Sequence, residues 1–109
     1  MASELTPEER EFEAIARAGS DADLADAMVA FALNHQNWRW AYKNFVTIAR
    51  TRDTALRGLA YTCIGHLGRL HDDFCTAEAE AFLRESLARD PANIGSIEDA
   101  GSDIAIFRR

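Results

Sequence analysis

The chain has 109 residues, 48% of them hydrophobic and 28% charged, and a formal net charge of −6. That is chain enough for one core, too rich in apolar residues for a disordered polymer, and without an apolar run near the ~20 residues that a membrane-spanning helix requires. Twelve basic residues against eighteen acidic ones disfavour nucleic acid as the partner, because phosphate neutralisation needs a net basic surface.

Thr6 followed by Pro7, Glu8 and Glu9 reads as an N-cap with Pro in the first turn and Glu at the capping-box position. It opens a first helix with Phe12, Ile15 and Ala16 inward, ending at Gly19. Ser20 opens the second, whose stripe is Leu24, Ala27, Met28, Phe31 and Ala32. The polar break Asn34-His35-Gln36-Asn37 ends on a good N-cap. The third helix, about Trp38 to Arg50, lines Trp38, Ala41, Tyr42, Phe45, Ile48 and Ala49 along one face.

Asp53 caps a fourth helix, Thr54 to Leu70, with Leu56, Leu59, Ala60, Cys63, Ile64 and Leu67 inward. Gly58, Gly65 and Gly68 lie inside it. Each costs up to ~1 kcal/mol relative to Ala, so a neighbouring helix is expected to pass close by. Thr76 is expected to cap a fifth helix with Ala79, Phe82, Leu83 and Leu87 inward, stopped by Asp90-Pro91. A sixth, from Asn93 or Ser96 to Phe107, presents Ile97, Ala100, Ile104 and Phe107.

The fold class is therefore all-α: about six helices, joined by short turns into about three antiparallel hairpins within one domain over residues 1–109. Helices of this length do not bury their stripes alone and must stack. A shift of 37 pairs Ala60 with Ile97, Cys63 with Ala100, Ile64 with Gly101, Leu67 with Ile104 and Leu70 with Phe107, all apolar or small. The acidic opening MASELTPEER lacks the apolar centre of a secretory leader, and two cysteines form no disulfide framework. Both features suit a reducing cytoplasm.

Charge is segregated along the chain: −6 over residues 1–34, +5 over 35–71 and −5 over 72–109. Acidic flanks either pair with the basic middle or remain free for a basic partner. The middle offers a second reading, in which Arg39, Lys43, Arg50, Arg52 and Arg57 form a groove and Trp40 stacks a base of single-stranded nucleic acid. The acidic flanks oppose it.

From Asp53-Thr54-Ala55-Leu56-Arg57-Gly58-Leu59-Ala60 through Ile64-Gly65-His66-Leu67-Gly68-Arg69-Leu70-His71, the fourth helix resembles the inner helix of a HEAT-type repeat. More closely, residues 37–109 resemble a group of short bacterial HEAT-like proteins with the pattern VRGLA…LGHLARIHG and a terminal EDALDDIEIF. Here the terminus reads from Ile97-Glu98-Asp99-Ala100 to Ile104-Ala105-Ile106-Phe107, departing at Gly101 and Ser102. Residues 1–36 form an N-terminal hairpin outside that resemblance. Such proteins are similar to the immunity proteins that bind and block contact-dependent or polymorphic bacterial toxins. The resemblance implies a non-enzymatic role with a cognate protein toxin as partner, needing no cofactor, metal or catalytic residue.

The surface expected to meet a basic toxin comprises Glu9, Glu13, Asp21 and Asp23 in the first two helices. Glu78, Glu80, Glu98 and Asp99 in the last two form a second candidate group, and Trp40 is a candidate apolar anchor. Two other functions remain open. One is a metal-dependent HD-type phosphohydrolase using His35, His71, Asp72 and Asp103, with His66 nearby, because His and Asp suit a divalent metal that activates water. The other is a generic HEAT-like scaffold. Cys63 falls on an apolar stripe, and Cys75 has no placeable His partner for nucleophilic work.

Overall fold

The computed structural model describes residues 4–106. It contains helices α1 (Pro7–Ala18), α2 (Asp21–Asn34), α3 (Trp38–Thr51), α4 (Thr54–Leu70), α5 (Thr76–Arg89) and α6 (Ile94–Ile106), with a short 3-10 turn at Pro91–Asn93. No strand occurs among the described residues. Phe107 lies outside them.

Local chemistry sets most of the boundaries. The Thr6 hydroxyl accepts from the Glu9 N–H at 3.1 Å, and the Glu9 carboxylate accepts from the Thr6 N–H at 3.1 Å, so the capping box is complete. Ser20, Asn37 and Asp53 each accept from the backbone N–H three residues on. The fifth helix departs from expectation. Cys75 occupies the N-cap without a side-chain bond. The Cys75 carbonyl accepts from the Ala79 N–H, and the Thr76 hydroxyl turns back to the Phe74 carbonyl, so Thr76 is the first helical residue rather than the cap.

Helix α4 lies at the centre and packs against α2, α3 and α6. Helices α1, α3 and α5 rest on α2, α4 and α6 respectively, so α2, α4 and α6 line up as one layer. The buried face of α3 is Trp38, Ala41, Tyr42, Phe45, Ile48 and Ala49, as its spacing predicts. With neighbours on several sides, α4 buries Tyr61, Gly58, Gly65 and Gly68 as well as its stripe, while Leu59 is only half-buried. On α5 the inward positions are Ala79, Phe82, Leu83 and Ser86, spaced three, four and seven apart; Leu87, eight along, is exposed. The Ser86 hydroxyl donates to the Phe82 carbonyl at 2.8 Å.

The α4 glycines mark the close approach of the segment that ends the chain. A Cβ on Gly65 would lie 3.1 Å from the Ala100 Cα, and one on Gly68 2.7 Å from Ile104. A Cβ on Gly58 would meet the Asn93 side chain at 2.6 Å. The shift of 37 thus pairs residues of two helices that lie against each other, and Ala60, Cys63, Leu67, Ile97, Ala100 and Ile104 are all buried.

One buried polar cluster crosses the layers. Asp90, 6% exposed, accepts from Arg57 Nε at 2.9 Å and Nη2 at 3.1 Å, from the Tyr61 hydroxyl at 3.0 Å and from Asn93 Nδ2 at 3.0 Å. Asn93 Nδ2 also donates to the Thr54 carbonyl at 3.1 Å. The Arg57 guanidinium, with help from Asn93 and Tyr61, outweighs burial and holds the Asp90 carboxyl at about 2.

Candidate partner-binding surface

Several depressions mark the surface of the described residues. One, about 760 Å3, runs between α3 and α5. Arg39, Lys43 and Arg50 face Asp73, Glu78 and Glu85 across it, over a floor of Trp38, Tyr42, Phe82 and Cys75. Its charges balance, so it attracts neither sign at long range. Trp38 is buried, with its indole N–H donating to Asp73 Oδ1 at 2.8 Å and the Arg39 guanidinium 4.5 Å above its ring. Burial, reinforced by Glu78, pushes the Cys75 thiol up to about 11, the wrong direction for a nucleophilic thiolate.

A second groove, about 250 Å3, lies between α1 and α2. Phe12, Ile15, Ala27 and Phe31 give it an apolar floor, with Glu8 and Glu11 on the α1 side and His35 at one end. A third depression, about 280 Å3, lies between α5 and α6 among Glu80, Arg84, Leu87 and Glu98.

Of the acidic residues expected to meet a partner, Glu13, Asp21, Asp23, Glu78, Glu98 and Asp99 are exposed and Glu80 is half-buried. Glu9 is not a surface acid: it is 3% exposed, its carboxylate closing the capping box and lying 2.8 Å from His35 Nε2. Burial alone would raise the Glu9 carboxyl, but His35 and the Thr6 N–H together hold it below its usual value. Trp40 is not a free anchor either. The N-terminal hairpin packs on it, with Phe12 and Phe31 at ring distances of 5.7 and 5.4 Å. Glu8 and Glu11, outside the acids expected to meet a partner, line the α1–α2 groove. They share a helical stripe with Phe12 and Ile15, at spacings of three, four and seven, and that was the available signal.

Arg52, Arg57 and the histidines are taken up by contacts within the fold. Arg52 donates to the Ala16 carbonyl, and Arg57 to Asp90 and to the Arg52 carbonyl, so neither lines the α3–α5 groove beside Arg39, Lys43 and Arg50. His35 stacks on Phe31 with ring centroids 4.2 Å apart, His66 lies 3.4 Å from Arg69, and His71 closes α4. Asp103 sits beside Gly65 at the α4–α6 contact. Among the described residues no three His, Cys, Asp or Glu side chains are grouped to hold a metal ion, so His35, His66, His71, Asp72 and Asp103 do not converge. No described helix is long and apolar enough to cross a membrane.

No protein-family model matches the chain. No curated protein matches it. Among solved structures, the chain is similar to one in the crystal structure of a CDI complex from Cupriavidus taiwanensis LMG 19424. The two share 35% sequence identity over 98% of this chain and 94% of that one, with a TM-score of 0.84. Coverage this wide takes in the N-terminal hairpin as well as residues 37–109.

Proposed function

Because the chain belongs to the family of that helical chain of the CDI complex, we propose that it is an immunity protein: it binds a cognate contact-dependent-inhibition toxin and blocks it by occlusion. The single observation that carries this reading is the 35% identity sustained over 98% of the chain. The pairing of α1, α3 and α5 with the stacked α2, α4 and α6 supports a HEAT-like arrangement. A rigid stack with charged outer faces suits binding and needs no chemistry. We place the protein in the cytoplasm, where a toxin must be met, and assign no cofactor.

The partner is a basic protein. Exposed acids are concentrated in α1–α2 (Glu13, Asp21, Asp23) and in α5–α6 (Glu78, Glu98, Asp99, with half-buried Glu80). Attraction between an acidic surface and a basic one speeds association and weakens as the Debye length falls from about 10 Å at 0.1 M salt to about 3 Å at 1 M. The test is co-expression with the toxin domain identified among the genes that flank this chain's own. Survival of cells carrying both, death of cells carrying the toxin domain alone, and a complex of the purified pair are expected. Absence of both protection and complex would refute the immunity role and leave a generic scaffold.

A further inference from the structure

The α1–α2 groove combines an apolar floor with one sign of charge. Phe12, Ile15, Ala27 and Phe31 form the floor, and Glu8 and Glu11 stand on its α1 side. At about 100° per residue, the two cations of α1, Arg10 and Arg17, project from the side of the helix opposite the Glu8, Glu11, Phe12 and Ile15 stripe. Helix α2 contains no basic residue at all, and its Asp23 and Asp26 precede Ala27 and Ala30 by one turn. An occupant of this groove therefore meets the Glu8 and Glu11 carboxylates along the α1 wall, and no Lys or Arg lines either wall. The α3–α5 groove has balanced charge, and the α5–α6 depression carries Arg84 among its acids, so neither selects a partner's charge as sharply.

The groove is also firmly built. Glu9, one residue from Glu8, is pinned between Thr6 and His35, and His35 in turn stacks on Phe31. Phe12 and Phe31 rest on Trp40 of α3. The floor is thus preformed, and an incoming side chain has little ordering cost to meet there.

We infer that the α1–α2 groove is the toxin-docking site, and that it takes a toxin segment presenting an apolar or aromatic side chain flanked by Lys or Arg. The apolar side chain enters between Phe12, Ile15, Ala27 and Phe31, and the flanking cations meet Glu8 and Glu11. This depends on the chain being an immunity protein. It differs from a general acidic attraction in naming one face, and in requiring both an apolar and a cationic component from the partner.

The experiment measures binding of the purified toxin domain identified by the co-expression test to the full-length protein and its variants, at 50 mM and 1 M salt. Glu8→Lys with Glu11→Lys should slow association about tenfold or more at low salt, and the difference should shrink at 1 M. Glu8→Gln with Glu11→Gln, which keeps the shape, should show a smaller effect of the same sign. Ala30→Trp, on an exposed position of the groove wall, should raise the dissociation rate about tenfold at both salts by filling the space. Ala88→Lys with Ala92→Lys, at exposed positions of α5 and the 3-10 turn, should stay within about threefold. Circular dichroism and melting of each variant confirm an unchanged fold. If the parent binds and every groove variant binds within about twofold of it, the groove is not the docking site and only the immunity reading survives. An Ala30→Trp effect without any charge effect overturns the cationic half of the inference. Failure of the unaltered protein to bind overturns the immunity reading, and this inference with it.

Discussion

Removing the Asp90 carboxylate tests how the end of the chain is fastened to α4. In Asp90→Ala the Tyr61 hydroxyl loses its acceptor while remaining 1% exposed, and the Arg57 guanidinium loses a two-point partner at 2.9 and 3.1 Å. Loss of a charge-assisted hydrogen bond costs ~1.5–3 kcal/mol, and an orphaned buried hydroxyl ~1–3 kcal/mol. Water reaches the Arg57 side chain, which is 26% exposed, and Asn93 keeps its bond to the Thr54 carbonyl, so the lower end applies. The expected loss is about 2–3 kcal/mol, a melting point lower by about 8–12 °C for a domain of this size. The charge also predicts a pH signature. With the folded carboxyl at about 2 against an ordinary 3.8, its contribution is complete above about pH 4 and disappears as pH falls through 2. Screening on the Arg57 side limits that contribution to about 1–2 kcal/mol. Urea unfolding of the parent, Asp90→Ala and Asp90→Asn between pH 7 and 2 checks both claims. A loss below 0.5 kcal/mol in Asp90→Ala, or an Asp90→Asn variant with the parent's acid slope, refutes the reasoning.

Gly65→Leu should destabilise by ~1–3 kcal/mol, because even its Cβ lies 3.1 Å from the Ala100 backbone and α6 must shift outward; thermal melting with an unchanged midpoint contradicts this. Ile64→Ala should cost ~2–5 kcal/mol from a fully buried site, whereas half-buried Leu59→Ala should cost clearly less, and equal losses in denaturant unfolding refute the assigned helix phase. Because the Glu9 carboxyl is held below its ordinary 4.5, its stabilisation is present above that pH and fades as the medium becomes more acid. Glu9→Gln should accordingly lose stability less steeply than the parent below pH 4.5, as read by melting at successive pH values.

The helices were legible because their determinants are local. Caps at Thr6, Ser20, Asn37 and Asp53 act within three residues, and the α3 face follows from spacing alone. A cap on Cys75 and an exposed Leu87 escaped for the complementary reason: the first depends on a turn through Phe74, the second on which side of α5 its neighbours occupy. The three α4 glycines did announce a close neighbour, and the resemblance to toxin-blocking immunity proteins is consistent with the similarity to a chain of a CDI complex, while the HEAT-type repeat rests on the resemblance alone.

Which acids lie at the surface was a different kind of question. Glu8, Glu9, Glu11 and Glu13 are chemically alike and nearly adjacent, yet Glu9 is buried against His35, 26 residues away, while Glu8 and Glu11 border a groove that exists only once α2 is in place. Arg57 reads as a surface cation until Asp90, 33 residues on, closes around it, and Trp40 reads as an open ring until Phe12 and Phe31 cover it. Periodicity and capping are properties of a few successive residues, so the sequence by itself determined the helices and most of their inward faces. Burial of a particular carboxylate, guanidinium or indole depends on contacts between segments that loop closure brings together, and only the tertiary structure decided those.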